Sequence, residues 1–177
     1  CPSVGHFLAS CSSHPSVPSR TPLQCTPPLH SCTSAVVELN IASYNVNSLR
    51  RVGAPTILAQ AIRALRIHIL CLQETHTDQR GVLRCQNYSR YMHGDTSKQG
   101  GLEVWLRHDI ASCVRSVQHS SRILRIQLRF TSFDLTVICV HAPHEGLSPQ
   151  IRRDFWESLE STLKQCHHGY YLLMGDL

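Results

Sequence analysis

The stretch Ile67–His76, IHILCLQETH, constrains this chain more than any other. Its apolar run Ile69-Leu70-Cys71-Leu72 stops abruptly at Gln73-Glu74-Thr75. So short a run with polar flanks reads as a strand buried on both faces. A carboxylate placed where such a strand leaves the core sits on the rim of a sheet, rigidly held and within reach of solvent. Glu74 therefore reads either as a metal ligand or as the first solvated residue after a strand. Two other stretches favour the ligand: Ser43-Tyr44-Asn45-Val46-Asn47-Ser48-Leu49 upstream, and Gly175-Asp176 at the end.

The remaining elements fall around these three. Val36–Tyr44 reads as a strand, and its polar continuation Asn45–Arg50 emerges on the same rim as Glu74 if the two strands are neighbours. Asn45 serves equally well as a turn residue, because its side chain bonds nearby backbone readily. Pro55–Leu65 is spaced for a helix, with Ile57, Leu58, Ala61, Ile62 and Leu65 on one face and Pro55 in the first turn. Strand, helix and strand make a β-α-β unit, so the first two strands are expected to be parallel. Thr77–Asn87 reads as a polar loop, Tyr88–Met92 as a short strand and Thr96–Gly101 as a turn. Leu102–Leu106, Ala111–Val117, Ile123–Phe130 and Phe133–Val140 read as strands at hairpin spacing. Arg122, Arg125 and Arg129 are expected on an exposed strand face, as an ordinary solvated strip before a phosphate-binding one. His141 and His144 follow the last of these strands; His141 is a candidate ligand or acid-base group, His144 a loop histidine. Ser148–Gln165 is the clearest helix: Ser148 caps, Pro149 opens it, and Ile151, Phe155, Leu159 and Leu163 recur every fourth residue. Tyr170–Met174 reads as a buried strand, and Gly175-Asp176 ends it with a carboxylate as Glu74 ends its own.

Composition divides the chain. Residues 1–35 carry one charged side chain, Arg20, whereas the other 16 basic and all 12 acidic residues lie from Val36 onward, a surplus of about +4. That surplus suits a polyanionic partner without requiring one. The first 34 residues hold six prolines and eight serines with no apolar periodicity, which reads as a disordered leader. Their cysteines and histidines do not fit zinc-finger spacing. The nine cysteines include no C-x-x-C pair, and Cys71 and Cys139 lie inside apolar runs, so a disulfide framework is not expected and a reducing compartment is. No run of 18 apolar residues is present, which argues against a membrane span. The chain opens on Cys1 and stops at Leu177 just after Gly-Asp, so both ends read as cut.

Taken together, Tyr44–Arg50, Leu72-Gln73-Glu74-Thr75, Gly100-Gly101-Leu102-Glu103-Val104, Val140-His141-Ala142-Pro143 and Gly175-Asp176 resemble the endonuclease/exonuclease/phosphatase family. This family includes exonuclease III, the apurinic endonucleases and the endonuclease domains of non-LTR retrotransposons. The pieces stand in the family's order and cover about residues 36–177. The Phe155-Trp156 and Leu159 helix before Gly-Asp looks more like the retrotransposon branch.

The resemblance implies an α/β (α+β) fold: a partial four-layer αββα sandwich of the DNase I-like type, incomplete at its C-terminus, following a leader over 1–35. It implies that Glu74 binds a divalent metal, normally Mg2+ with Mn2+ as a substitute. Asn45 would orient the catalytic groups, Asp176 would position or activate water, and His141 would contact phosphate. It implies a metal-dependent endonuclease hydrolysing DNA phosphodiesters, nuclear if it acts on chromosomal DNA, with a reverse transcriptase domain as a possible companion in the full-length chain. Three departures matter. His141 stands where the family has Tyr, and Glu103 where it has a small or apolar residue. The family's Gly-Asp-x-Asn and its later Ser-Asp-His segment run past Leu177, so the 177 residues are expected to be inactive or nearly so as a nuclease. A phosphoesterase acting on a lipid or nucleotide headgroup, and a non-catalytic binding fragment, remain as alternatives.

Overall fold

The computed structural model describes residues 3–9, 37–95, 100–166 and 169–177. Among the described residues, ten strands and three helices form two sheets packed face to face, each covered outside by a helix. The first sheet has the order β1 (Ser3–Ala9), β2 (Val37–Asn45), β3 (Ile69–Gln73), β6 (Leu102–Arg107), β5 (Tyr88–His93) and β4 (Arg80–Cys85). The second runs β10 (Tyr170–Asp176), β9 (Asp134–His141), β8 (Ile123–Arg129) and β7 (Val114–Ser120).

Two parallel pairs stand out among otherwise antiparallel neighbours. β2 and β3 are joined through helix α1 (Ala54–Ala64), and β9 and β10 through helix α3 (Pro149–Lys164). In the first pair Asn45 lies opposite Gln73; in the second Asp176 lies opposite His141. Each β-α-β unit therefore ends its two strands together, which is where open α/β sheets bind ligands.

The core between the sheets joins Ile41, Ile69, Val104 and Leu106 to Leu124, Ile126, Val137 and Cys139. Period-two alternation puts Ala42, Leu70, Leu72 and Trp105 on the other face, under α1. In the second sheet Ile138 and Val140 pack against Phe155 and Leu159 of α3. Ser148 caps α3 by accepting from the Ile151 N–H at 3.3 Å, as its sequence implies. Cys71, Cys85, Cys113, Cys139 and Cys166 are free thiols, and the other four cysteines lie outside the described residues. The Cys71 thiol is pushed well up by its bond with Cys139 and by burial, which makes it an inert core group. Among the described residues, no helix is long and apolar enough to cross a membrane.

Several elements differ from the sequence reading. Ser3–Ala9, placed there in a disordered leader, forms β1 and pairs antiparallel with β2 in the register Ser3 to Ser43 through Ala9 to Val37. β2 would otherwise present an open ladder of N–H and C=O groups, so even a weakly patterned segment gains by pairing there. Residues 10–36 lie outside the described residues, as do Thr96–Gln99 of the expected turn. Arg80–Cys85, read as loop, forms the edge strand β4, joined to β5 through a two-residue connection in which Gln86 adopts φ 51°. The segment RGVLRC is mostly solvent-facing and has no apolar alternation to betray it. Of the strand expected at Ala111–Val117, Ala111 ends a short helix, α2 (His108–Ala111), Ser112 and Cys113 form a turn, and β7 starts at Val114. On α1 the buried side chains are Ala59 and Ile62, backed by Leu58, while Ile57 and Leu65 are exposed. The 57/61/65 and 58/62 stripes lie side by side on a helix, and periodicity does not say which one meets the sheet. β10 is half-exposed because it has a partner on one side only. The basic strip also dissolves. Arg125 is buried under α3 and donates to Gln118 and Gln165, whereas Arg129 pairs with Asp134 at 2.9 and 3.0 Å.

Glu103 is explained by its neighbours. It is fully buried, takes two hydrogen bonds from Arg90 at 3.0 Å each, and a third from the Trp105 indole N–H at 2.7 Å. The Arg90 guanidinium lies 5.0 Å from the Trp105 ring centre. Breaking a buried ion pair from one side costs far more than replacing both partners. Glu103→Leu should therefore lower stability by about 3–5 kcal/mol in urea unfolding, whereas Arg90→Met/Glu103→Leu together should cost less, about 1–3 kcal/mol, because only the Trp105 indole N–H then loses its acceptor.

Candidate active site

Each polar residue at the rim is set there by its own strand. β3 ends at Gln73, which is buried between the sheets and donates from Nε2 to Ser43 Oγ at 3.2 Å and toward Cys139 Sγ at 3.3 Å. The Cys139 thiol is itself directed at the Leu72 carbonyl, 3.6 Å away. This small polar layer ties the second sheet to the first immediately beneath the rim.

Beyond it the backbone turns sharply. Glu74 and His76 take φ of 53° and 54°, and the Thr75 between them is fully buried. A non-glycine residue in this region costs about 1–3 kcal/mol and persists only where neighbours fix it. Here the Glu74 and Thr75 carbonyls accept from the N–H groups of Ser48 and Leu49 at 2.8 and 2.9 Å, while the Thr75 and His76 N–H groups donate to Gly101 and Gly100 at 3.2 and 2.8 Å. Gly101 takes φ 98°, and a β-carbon there would come 2.6 Å from Thr75 Oγ1, so this position requires glycine.

Asn45 joins the sheets. Its Oδ1 accepts from the Asn47 N–H at 3.2 Å, an Asx turn that fixes the amide. Its Nδ2 then donates to Glu74 Oε1 at 2.7 Å and to Asp176 Oδ2 at 3.2 Å. Asp176 is held by β10, whose end is latched by the Ala142 N–H on the Asp176 carbonyl at 2.8 Å. His141 ends β9 with Nε2 3.5 Å from Glu74 Oε1. Burial, and then the charge of Arg122, push the His141 imidazole below its ordinary pKa, against the upward pull of Glu74 and Asp176. A ring held neutral keeps a nitrogen lone pair for a cation. All four residues singled out in the sequence thus meet at one point.

Glu74, His141 and Asp176 can each present a ligand atom such that the three lie within 4.8 Å of one another. Two carboxylates and an imidazole so close, oriented by one shared amide, fit a divalent cation. They flank an open cleft of about 1020 Å³, whose walls include Arg80, Arg122, Arg152 and Trp156. Arg122 is anchored by donating to the His141 carbonyl at 3.3 Å. His76, whose Nε2 is 3.6 Å from Glu74 Oε2, was not picked out by sequence reasoning, although its place two residues after Glu74 was a signal. Arg80, Arg152 and Trp156 were missed as cleft residues because only the packing of separate elements brings them there. His144 stays local, accepting from the Gly146 N–H at 3.1 Å.

Replacing Asn45 by Asp removes both donated bonds and sets a third carboxylate against Glu74 and Asp176. Asn45→Asp should destabilise the chain by about 1–3 kcal/mol at neutral pH in urea unfolding. Repulsion raises a folded-state carboxyl pKa above its unfolded value, so the deficit should shrink as pH falls toward about 4. Asn45→Ala, which adds no third carboxylate, should show a smaller recovery, from relief of the Glu74–Asp176 repulsion alone.

Known proteins share the fold that carries these residues. An AP endonuclease from Leishmania major superposes with a TM-score of 0.61 at 16% identity, over 77% of this chain and 54% of that one. An AP endonuclease from Archaeoglobus fulgidus gives 0.60 at 21%, over 78% and 56%. The endonuclease domain of TRAS1, a telomere-specific non-LTR retrotransposon, gives 0.54 at 14%, over 77% and 57%. At these identities the likeness is one of fold, and this chain spans a little over half the length of each. A search by sequence against curated proteins finds no match. The family model described as endonuclease/exonuclease/phosphatase matches residues 42–177, which takes in every rim residue described above. With that match and a two-sheet fold shared with those endonucleases, the chain belongs to the endonuclease/exonuclease/phosphatase family.

Proposed function

We propose that this chain carries the cation-holding half of a metal-dependent DNA endonuclease site. The observation that carries the reading is the Asn45 amide, which draws Glu74 of one sheet and Asp176 of the other together beside His141. We take the family domain to begin near residue 36, with β1 added to its sheet from the segment before it, and the cation to be Mg2+ or Mn2+.

A divalent ion bound there would offset charge developing on a phosphodiester oxygen. The chain's own residues do the rest. Glu74 and Asp176 would hold the cation on carboxylate oxygen, Asn45 keeps both carboxylates oriented, and the His141 ring stands beside Glu74 at the same point. Arg122, fixed against the His141 carbonyl on the cleft wall, supplies positive charge for a neighbouring phosphate. The open cleft suits an extended strand better than a compact headgroup. Helix α3, with Phe155 buried and Trp156 exposed toward the cleft, supports an origin in the retrotransposon branch. No Ser-Asp-His segment occurs in these 177 residues. We therefore expect binding without appreciable turnover from them alone.

The test is gel retardation of a duplex oligonucleotide by the 177-residue chain, with and without Mg2+. Retardation should strengthen with Mg2+, lose that gain in EDTA or in Glu74→Ala, and weaken as salt rises. Arg122→Ala should lower the slope of log affinity against log salt by about one. Retardation indifferent to Mg2+ and to Glu74→Ala would count against the reading. So would EDTA-sensitive release of phosphate from small phosphoesters without DNA binding.

A further inference from the structure

Glu74 is flanked by nitrogen on both sides. His141 Nε2 lies 3.5 Å from its Oε1 and His76 Nε2 lies 3.6 Å from its Oε2. These separations are longer than a good hydrogen bond, so the imidazoles stand beside the carboxylate without being spent on it. Both rings are mostly buried, at 19% and 22% side-chain exposure. His141 is the terminal residue of β9, with its N–H donated to the Arg122 carbonyl at 3.1 Å. His76 sits in the strained turn that also fixes Glu74.

A cation in this cluster therefore meets imidazole as well as carboxylate. Mg2+ demands near-ideal octahedral geometry, favours oxygen, and gives up its water reluctantly. Imidazole suits the first-row transition metals, whose affinity for mixed nitrogen and oxygen sites rises from Mn2+ through Co2+ toward Cu2+. We propose that Glu74, His141 and Asp176, with His76 at the rim, form a mixed nitrogen-oxygen centre that selects a transition-metal dication such as Co2+ or Zn2+ over Mg2+. The proposal rests on the reading above that the cluster holds a cation. It departs from that reading in the identity of the metal, because it makes nitrogen donors, and not the carboxylates alone, set the choice. Asn45, donating to Glu74 and Asp176 together, is the outer group that holds the oxygen donors in place.

The experiment is calorimetric titration of the full 177-residue chain with Co2+ and, separately, with Mg2+, alongside the visible spectrum of the Co2+ form. Co2+ should bind at least about tenfold more tightly than Mg2+. His141→Tyr should cost Co2+ at least about tenfold and Mg2+ distinctly less, so that the preference for Co2+ shrinks. His76→Ala should give a smaller loss of the same sign, and thermal unfolding should show that both variants are folded. Co2+ binding that survives Glu74→Ala, or a Co2+ spectrum with thiolate charge-transfer bands, would place the metal elsewhere and overturn the proposal. Equal affinity for the two ions, unmoved by either histidine variant, would overturn it while leaving the cation site standing. If the wild-type chain binds neither ion, the proposal and the cation reading fall together.

Discussion

Three hydrogen bonds of one side-chain amide are what the rim of this molecule depends on. Asn45 accepts from the Asn47 N–H and donates to Glu74 and Asp176, carboxylates that belong to different sheets. Without a donor between them, two carboxylates at the same rim would repel. The amide can take this position only because β2 and β3 end in register, as β9 and β10 also do. Two β-α-β units, each built by the ordinary packing of a helix on a parallel pair, thus set four polar residues from four strand ends around one point.

The layers beneath keep that point rigid. Ser43, Gln73 and Cys139 form a polar seam just under the rim, and a core of aliphatic side chains lies below it. Buried polar groups that satisfy one another specify a single arrangement, whereas apolar contact alone tolerates sliding. The left-handed turn at Glu74 belongs to the same construction. Four backbone hydrogen bonds hold Glu74–His76 between the Asn45–Leu49 segment and the Gly100-Gly101 segment, so the strain is confined by its surroundings.

Much of this was legible in the residues. Short apolar runs ending in Asn, Glu, His and Asp mark strand ends whatever the rest of the chain does, and the four candidates picked at those ends lie together at one rim. The first β-α-β unit followed from the helix between two of those runs, whereas the second was read only as its separate elements. What stayed illegible has physical reasons. β4 is a solvent-facing edge and carries no alternation. The buried stripe of α1 is one of two adjacent stripes of similar composition. Arg125 is a charged residue that a later helix covers, and Gln118 and Gln165, which satisfy it, lie 7 and 40 residues away in sequence. Glu103 looked like a departure at the site, but its partners Arg90 and Trp105 place it in the layer under α1. In each case the deciding contact is a tertiary one that local pattern does not encode.

The central claim is that strand ends from both sheets share one cation. Substoichiometric Mn2+ added to isotope-labelled protein tests it directly, because a paramagnetic ion broadens nearby resonances and spares distant ones. Signals of Asn45, Glu74, His141 and Asp176 should broaden together, while those of Phe130 and Phe133 should stay sharp, since they lie at the far end of β9, roughly 20–25 Å away along an eight-residue strand. Broadening confined to the strand ends of one sheet, or absent from all four residues, would contradict the account.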